Sequence, residues 1–362
     1  MDTFFSYIFG CRVNEAEKIL LDKTLIKNGF IFDEKNPTFY IINSCAVTGK
    51  AEREVRQHIY QIRKKLPATT IIVTGCAATQ WIKKNIHVDG IDILIENKQK
   101  SSIPTMLLKR SSQISDIRRH SSLNYHDKFL ATGRMMIKIQ DGCDRFCSYC
   151  IVPSLRGNPH SRFIKDIIKE ICEYDDIMQE IILTAINTEC FGKDTGETLI
   201  NLIKAILEKT VIPMISFGSI HPWSITDEFL TYYQSIIPTN RFLPFFHIPI
   251  QSGSNTMLKL MNRGYTKEEI LEKLKKIKMI HPKAYIGTDI IVGFPGETEQ
   301  EFEETYEFLK KAPIDKIHVF RFSLRPGTAS EILEKHYKQI PSEEIRRRSK
   351  LLRELNEKKI TT

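Results

Sequence analysis

The segment Asp141–Cys150, DGCDRFCSYC, places Cys143, Cys147 and Cys150 within eight residues in the spacing CxxxCxxC. Thiolates are soft ligands suited to iron–sulfur clusters or zinc. A structural zinc site normally closes with four protein ligands. Here the next imidazole is His160, ten residues beyond Cys150 and past VPSLRGNP. A zinc site completed by a distant residue is one reading. The other is a four-iron cluster on three cysteines, which leaves one iron open to a substrate or cofactor.

A second trio has no local spacing at all. Cys11, Cys45 and Cys76 each follow a short run of strand character: YIFGC, IINSC and VTGC. In a parallel α/β sheet the loops after the carboxyl ends of strands gather along one edge, where ligands bind. Three cysteines in that slot can converge although 65 residues separate the first from the last. The competing reading is three buried cysteines acting as small hydrophobes. Cys172 and Cys190 fit neither trio, and Cys172 sits on a helical stretch that reads as core.

The elements that would position these groups are legible as alternating patterns. TFFSYIFGC, TFYIINSC and TIIVTGC read as strands, and NEAEKILLDKTLIKNGF and GKAEREVRQHIYQIRKKL read as amphipathic helices. Asn14 with Glu17 fits an N-cap, Lys23–Lys27 a basic last turn, and Gly29 a stop. Residues 1–108 therefore form a parallel-sheet α/β domain. Residues 109–128 lose periodicity, gain serines and basic residues, and read as a linker. A core domain is expected over 129–340, with strands MMIKIQ, EIILTAIN, MISFGSI, FFHIPIQ, IGTDIIVGF and KIHVFRFS. Helices separate them at Ser161–Tyr174, Thr198–Lys209, Ile225–Ser235, Thr266–Ile280 and Glu299–Lys310. Six βα units suit an incomplete relative of the eight-fold barrel or an open doubly wound sheet. Residues 341–362 carry a basic amphipathic helix, SEEIRRRSKLLRELNEKK.

The formal net charge of +9 over 362 residues favours a polyanionic partner, nucleic acid first, although a merely basic soluble protein has the same balance. No signal peptide and no apolar run long enough to span a bilayer is visible, so a cytoplasmic protein with no membrane partner is expected. In a reducing compartment eight cysteines point to metal binding or catalysis rather than disulfides.

Beyond spacing, IQDGCDRFCSYCIVPSLRGNPHSR resembles the radical S-adenosylmethionine superfamily, and its methylthiotransferase branch in particular. So do GCRVNEAE, INSCAVTGKAE, VTGCAATQ, PIQSGSNTMLKLMNRGYT, TDIIVGFPGETEQEFEET and FRFSLRPGTA, in the family's order along nearly the whole chain. The resemblance implies a partial (β/α)6 radical S-adenosylmethionine barrel after the N-terminal domain. It implies two [4Fe–4S] clusters, with Cys143, Cys147 and Cys150 on the radical-generating one and Cys11, Cys45 and Cys76 on the sulfur-donating one. It implies S-adenosylmethionine bound near Tyr149, Gln251, Ser252, Arg263, Asp289 and Gly293. GCRVN and NSCAVT are most similar to the branch acting on threonylcarbamoyladenosine next to the anticodon of transfer RNA. The anticodon stem-loop, a reductant such as flavodoxin or ferredoxin, and a sulfur source are the partners this implies.

Two features depart from the family pattern. LTAINTECFG has Ala185 where a glycine is usual and adds Cys190, so Asn187 or Thr188 would have to serve there. The chain also stops at Thr362, without room for the family's C-terminal RNA-binding β-barrel. Either the sequence is truncated, or RNA contact is expected from the helix at Arg346–Lys359, the linker and EREVRQHIYQIRKK. The alternatives are methylthiotransfer to isopentenyladenosine in transfer RNA or to a ribosomal protein side chain. A different class of reading is a non-catalytic, metal-containing RNA-binding protein.

Overall fold

Buried β-branched and aromatic runs build the sheets, and the helical segments between them make every defined pairing of the first sheet parallel. The computed structural model describes residues 2–110, 132–174 and 177–361. Past Arg110 the expected linker lies outside the described residues. The chain divides into two units. The first runs to Lys138 and takes back Ser154–Gly157; the second holds Ile139–Pro153 and everything from Asn158 onward.

In the first unit the strands are β1 (Thr3–Ile8), β2 (Ile31–Phe32), β3 (Phe39–Ser44), β4 (Thr70–Gly75) and β5 (Ile93–Leu94). Their order is β2-β1-β3-β4-β5, the flavodoxin-like doubly wound order. The three anticipated strands are its centre. The edge strands β2 and β5 are two residues long, too short to leave a periodic signal. Helices α1 (Arg12–Lys27), α2 (Gly49–Lys65), α3 (Cys76–Lys83) and α4 (Ile103–Arg110) complete the unit. Phe4, Leu25, Phe39, Ile41, Ile72 and Leu107 meet in its core.

α1 starts three residues earlier than anticipated. Cys11, not Asn14, holds the cap position, because the Asn14 amide turns inward and donates to the carbonyls of Phe9 (2.8 Å) and Ser44 (3.2 Å). The helix stops as expected, with Gly29 in the left-handed region at φ +88°. In α2, Arg63 is not a free basic residue. Its guanidinium donates to the carbonyls of Gly90, Pro67 and Thr69 and pairs with Asp92, tying the helix end to the loops around β4.

Strand β6 (Arg134–Asp141) begins in the first unit and ends in the second. β7 (His160–Ser161), β8 (Glu180–Ala185), β9 (Met214–Phe217), β10 (Phe245–His247), β11 (Tyr285–Val292) and β12 (Lys316–Arg321) follow. They form sheets ordered β7-β6-β8-β9 and β10-β11-β12. A parallel bridge from Ile215 to Phe242 and the bond from the Ile220 N–H to the His247 carbonyl (2.9 Å) link β9 to the second sheet. Apart from the short antiparallel β7, spatial order follows chain order with no reversal. A doubly wound sheet must reverse at its switch point, so the second unit is a partial (β/α)6 barrel.

α5 (Val152–Arg156) passes from the second unit into the first, and α6 (Ile164–Cys172), α7 (Leu199–Lys209), α8 (Asp227–Ile236), α9 (Asn255–Leu260), α10 (Lys267–Ile280), α11 (Glu299–Lys311), α12 (Ser330–His336) and α13 (Ser342–Thr361) belong to the second. Cys172 corrects one expectation. It is helical but exposed rather than core, because α6 buries Ile167, Ile168 and Ile171 and the next position turns about 100° away from that stripe. No helix among the described residues is long and apolar enough to cross a membrane.

The basic helix α13 is partly a structural strut. Leu352 and Leu355 are buried, and the Ile317 N–H of β12 donates to Asn356 Oδ1 at 2.7 Å. Arg348 pairs with Glu297 at 2.8 Å, the two side chains 5% and 2% exposed. Removing one partner of a buried pair leaves the other charge stranded. Arg348→Met should therefore lower unfolding stability by roughly 3–5 kcal/mol, and Glu297→Gln in the same chain should recover part of it. Denaturant midpoints of the single and double variants measure both.

Candidate metal centres and cofactor pocket

The first trio sits where the sheet topology reverses. Cys11, Cys45 and Cys76 follow β1, β3 and β4, three neighbouring strands, and the crevice of this strand order opens between β1 and β3. Gly10 lets the loops close: at φ +94°, a Cβ on it would stand 2.6 Å from the Cys45 sulfur. Gly75, before Cys76, has the same φ, and a Cβ there would meet the Ser44 carbonyl at 2.4 Å. Cys45 and Cys76 are buried and Cys11 is exposed. Burial pushes the Cys45 thiol up to about 12; the nearby Cys76 and Cys11 add to this, against the Val47 N–H. Burial also raises Cys76, opposed by the charge and hydrogen bond of Arg156.

The second trio is shaped by the turn after β6. The Gln140 amide donates to the carbonyls of Asp141 and Gly142 (2.6 and 2.8 Å), and its oxygen accepts the Asn187 N–H at 3.0 Å. Phe146, exposed, takes the left-handed conformation at φ +45°, a strained backbone for an aromatic residue. Ser148 anchors the loop through its N–H to Met261 and its hydroxyl to Leu260. Two donors are aimed at the sulfurs: Arg263 Nη1 at 3.2 Å from Cys147 and Asn187 Nδ2 at 3.7 Å from Cys143. Burial, with Cys147 and Cys143 close by, pushes Cys150 up to about 12. Burial raises Cys143 as well, against the Arg145 N–H.

Within each trio the thiols thus stand in electrostatic reach of one another. Among the described residues, no three His, Cys, Asp or Glu groups come close enough to share one metal ion. Thiols that each bind a different iron of a cluster need no such approach. Three thiols in each set are the donor type that an iron–sulfur cluster takes.

The six residues named for a cofactor pocket fare differently. Tyr149 turns its ring into the core against Phe294 and takes a hydrogen bond from Arg263. Arg263 is buried, its donors going to Tyr265, Cys147, Tyr149 and the Pro249 carbonyl. Ser252 bonds Thr305, and Asp289 pairs with His247 at 3.1 Å. Gly293 at φ +78° makes room for Ile345, which a Cβ would meet at 2.8 Å. Gln251 holds φ +78°, a costly conformation for a side-chain residue, and among the described residues its carboxamide has no hydrogen-bond partner.

Sequence reasoning passed over a polar group beside Cys147. Trp223 has the guanidinium groups of Arg145 and Arg263 at 4.3 and 4.4 Å from its ring centroid, close enough for cation–π attraction. Arg145 also grips Glu189. His221 stacks on Trp223; burial, then the charge of Arg263, pushes its imidazole down to about 3, so it stays neutral and accepts the Thr188 N–H. The signal available was position: GSIHPW follows the strand MISF, the same slot that marked the cysteines. Cys190, buried, receives the Asn187 amide at 3.2 Å and donates to Asp144.

Residues 137–309 match the Radical SAM superfamily, and residues 3–95 match the Uncharacterized protein family UPF0004. The chain is 34% identical to the threonylcarbamoyladenosine tRNA methylthiotransferase MtaB of Aquifex aeolicus, over 97% of this chain and 87% of that protein. It is 34% identical to the same-named protein of Thermotoga maritima (90% and 76% covered). It is 31% identical to the tRNA-2-methylthio-N(6)-dimethylallyladenosine synthase of Fervidobacterium nodosum (90% and 76% covered). Among solved structures, the cobalamin-dependent S-adenosylmethionine radical enzyme OxsB shares the fold at TM-score 0.56 and 14% identity. That likeness covers 99% of this chain and 56% of OxsB.

The raised thiols give a test on metal-free protein. A free cysteine ionises near 8.5 and then alkylates; buried thiols held protonated do not. At pH 9, iodoacetamide should label exposed Cys172 quickly and Cys45, Cys150 and Cys190 slowly, as peptide mass spectrometry will read. Between about 8.5 and 12 the folded chain keeps protons that the unfolded chain loses, so metal-free stability should fall as pH rises through that window.

Proposed function

The chain belongs to the radical S-adenosylmethionine methylthiotransferase family, and on that premise we propose that it inserts a methylthio group at C2 of threonylcarbamoyladenosine beside the anticodon of transfer RNA. The observation that carries this reading is the likeness to threonylcarbamoyladenosine methylthiotransferases along almost the full length of both chains. As a member of an enzyme family it is a catalyst, which sets aside the binding-module reading.

In this reading Cys143, Cys147 and Cys150 would hold one [4Fe–4S] cluster, and Cys11, Cys45 and Cys76 a second. Bound cluster and S-adenosylmethionine together supply a 5′-deoxyadenosyl radical, which the adenine C2–H requires because it yields to neither acid nor base. The rest falls to the protein's own groups. Arg263 and Asn187 direct donors at two ligand sulfurs. Gln251 offers the carboxamide left over for a cofactor, while Tyr149, Ser252, Asp289 and Gly293 shape the strand ends around it. Because metal displaces protons from thiols that burial keeps neutral, loading should release protons and strengthen with pH.

Transfer RNA would meet exposed cations. On α2 these are Arg53, Lys64 and Lys65, and on α13 Arg346 and Arg353. Such phosphate contacts give affinity without choosing a base. A reductant of flavodoxin or ferredoxin type and a sulfur source complete the requirements. The same chemistry on dimethylallyladenosine is the second reading, raised by relatives of that name at 31–32% identity, below the 34% of the first relatives.

Nucleoside mass spectrometry of transfer RNA from a deletion strain separates these readings. Loss of the 2-methylthio group from threonylcarbamoyladenosine, restored by the intact chain and not by Cys143→Ala, is the expected result. Loss from the dimethylallyl nucleoside would move the substrate, and no change in either would sink the proposal. After anaerobic reconstitution, replacing either cysteine trio by alanine should leave about half the iron, since two clusters load independently.

A further inference from the structure

Glu17 on α1 is a buried carboxylate with three cations on it. Lys138 Nζ lies 2.9 Å from Oε1, Arg156 Nη1 lies 3.0 Å from Oε1, and Lys100 bonds Oε2. The side chains of Glu17, Lys100 and Arg156 are 6%, 10% and 1% exposed. Burial opposes the charge on Glu17, yet Arg156, Lys100 and Lys138 together hold it well below the usual carboxylate range. The set of four therefore carries three positive charges and one negative inside the first unit.

Two asparagines fix the set against the cysteine loops. Arg156 donates to Asn14 Oδ1 (2.8 Å) and Lys100 to Asn43 Oδ1 (2.9 Å). Asn43 donates to the Asn14 carbonyl (3.1 Å), and Asn14 to the carbonyl of Ser44, next to Cys45. Arg156 also hydrogen-bonds the Cys76 side chain; its charge is felt at Cys45 as well, and that of Lys100 at Cys76. It arrives on Ser154–Gly157, the short segment that returns to this unit after the CxxxCxxC loop, and Lys83 holds that segment by the Ser154 carbonyl.

A cluster on three thiolates is anionic, and each electron it accepts adds to that charge. Fixed cations in a low-dielectric interior favour such a centre and its reduced state most of all. We propose that Lys100, Lys138 and Arg156, gathered on Glu17, are the built-in counter-charge of the centre at Cys11, Cys45 and Cys76, and that Arg156 sets its reduction potential as a positioning residue. This rests on the two-cluster reading above.

The test uses the full chain with Cys143, Cys147 and Cys150 replaced by alanine, so that one centre is read by EPR during titration with a low-potential reductant. Arg156→Gln should lower the midpoint by at least a tenfold change in the one-electron equilibrium, about 59 mV. Glu17→Gln, which removes a negative charge, should raise it, and Arg156→Lys should stay near the parent. A merely structural role gives no opposite signs. Loss of iron in Arg156→Gln with retention in Arg156→Lys supports the same conclusion through affinity. Midpoints that stay put, or move in one direction in both variants while iron is retained, overturn the inference. A parent that takes up no iron and no labile sulfide overturns the two-cluster reading, and this inference with it.

Discussion

Sulfurs brought within electrostatic reach of one another repel as soon as they ionise, and a buried interior magnifies the repulsion. Both cysteine trios meet this constraint, and much of the surrounding structure answers it. Around Cys45 and Cys76 the answer is charge: Arg156 bonds a thiol directly while Glu17, Asn14 and Asn43 hold the cation in place. Around Cys143 and Cys147 it is donors aimed at sulfur, from Asn187 and Arg263. At Cys45, Cys76, Cys143 and Cys150 burial outweighs these groups and raises the thiols.

The two cysteine trios are assembled by different means. Cys143, Cys147 and Cys150 lie on one tight loop, where a positive φ at Phe146 and a bond from the Cys150 N–H to the Cys147 carbonyl set their directions. Cys11, Cys45 and Cys76 are brought together by strand order alone. Parallel strands put all their carboxyl ends on one edge, and the reversal between β1 and β3 opens the space there. Glycines at 10 and 75 supply the close approach that side chains would block.

Positive charge in this chain serves the fold as well as any polyanion. Arg63 stitches loops to α2, Arg348 buries itself against Glu297, and Arg347 bridges Glu299 and Glu344. A surplus of basic residues therefore overstates the surface open to nucleic acid. Exposed cations remain, among them Arg53 and Lys64 on α2 and Arg346 on α13.

Strands, helices and both cysteine trios were legible in the sequence because each leaves a local record: periodicity for elements, spacing for CxxxCxxC, and strand-end position for Cys11, Cys45 and Cys76. Periodicity did not choose between barrel and doubly wound sheet, since both share one alternation and differ only in spatial order; the resemblance carried by the motifs did. The start of α1 was not legible, because Asn14 looks like a cap until Phe9 and Ser44 claim its amide. Trp223 between Arg145 and Arg263, and the cations on Glu17, join residues from 40 to 139 positions apart. Sequence by itself determined which groups could do chemistry, because ligand type and strand ends are written locally. Tertiary structure alone decided which charges stand beside them, because long-range ion pairs depend on packing and have no period to read.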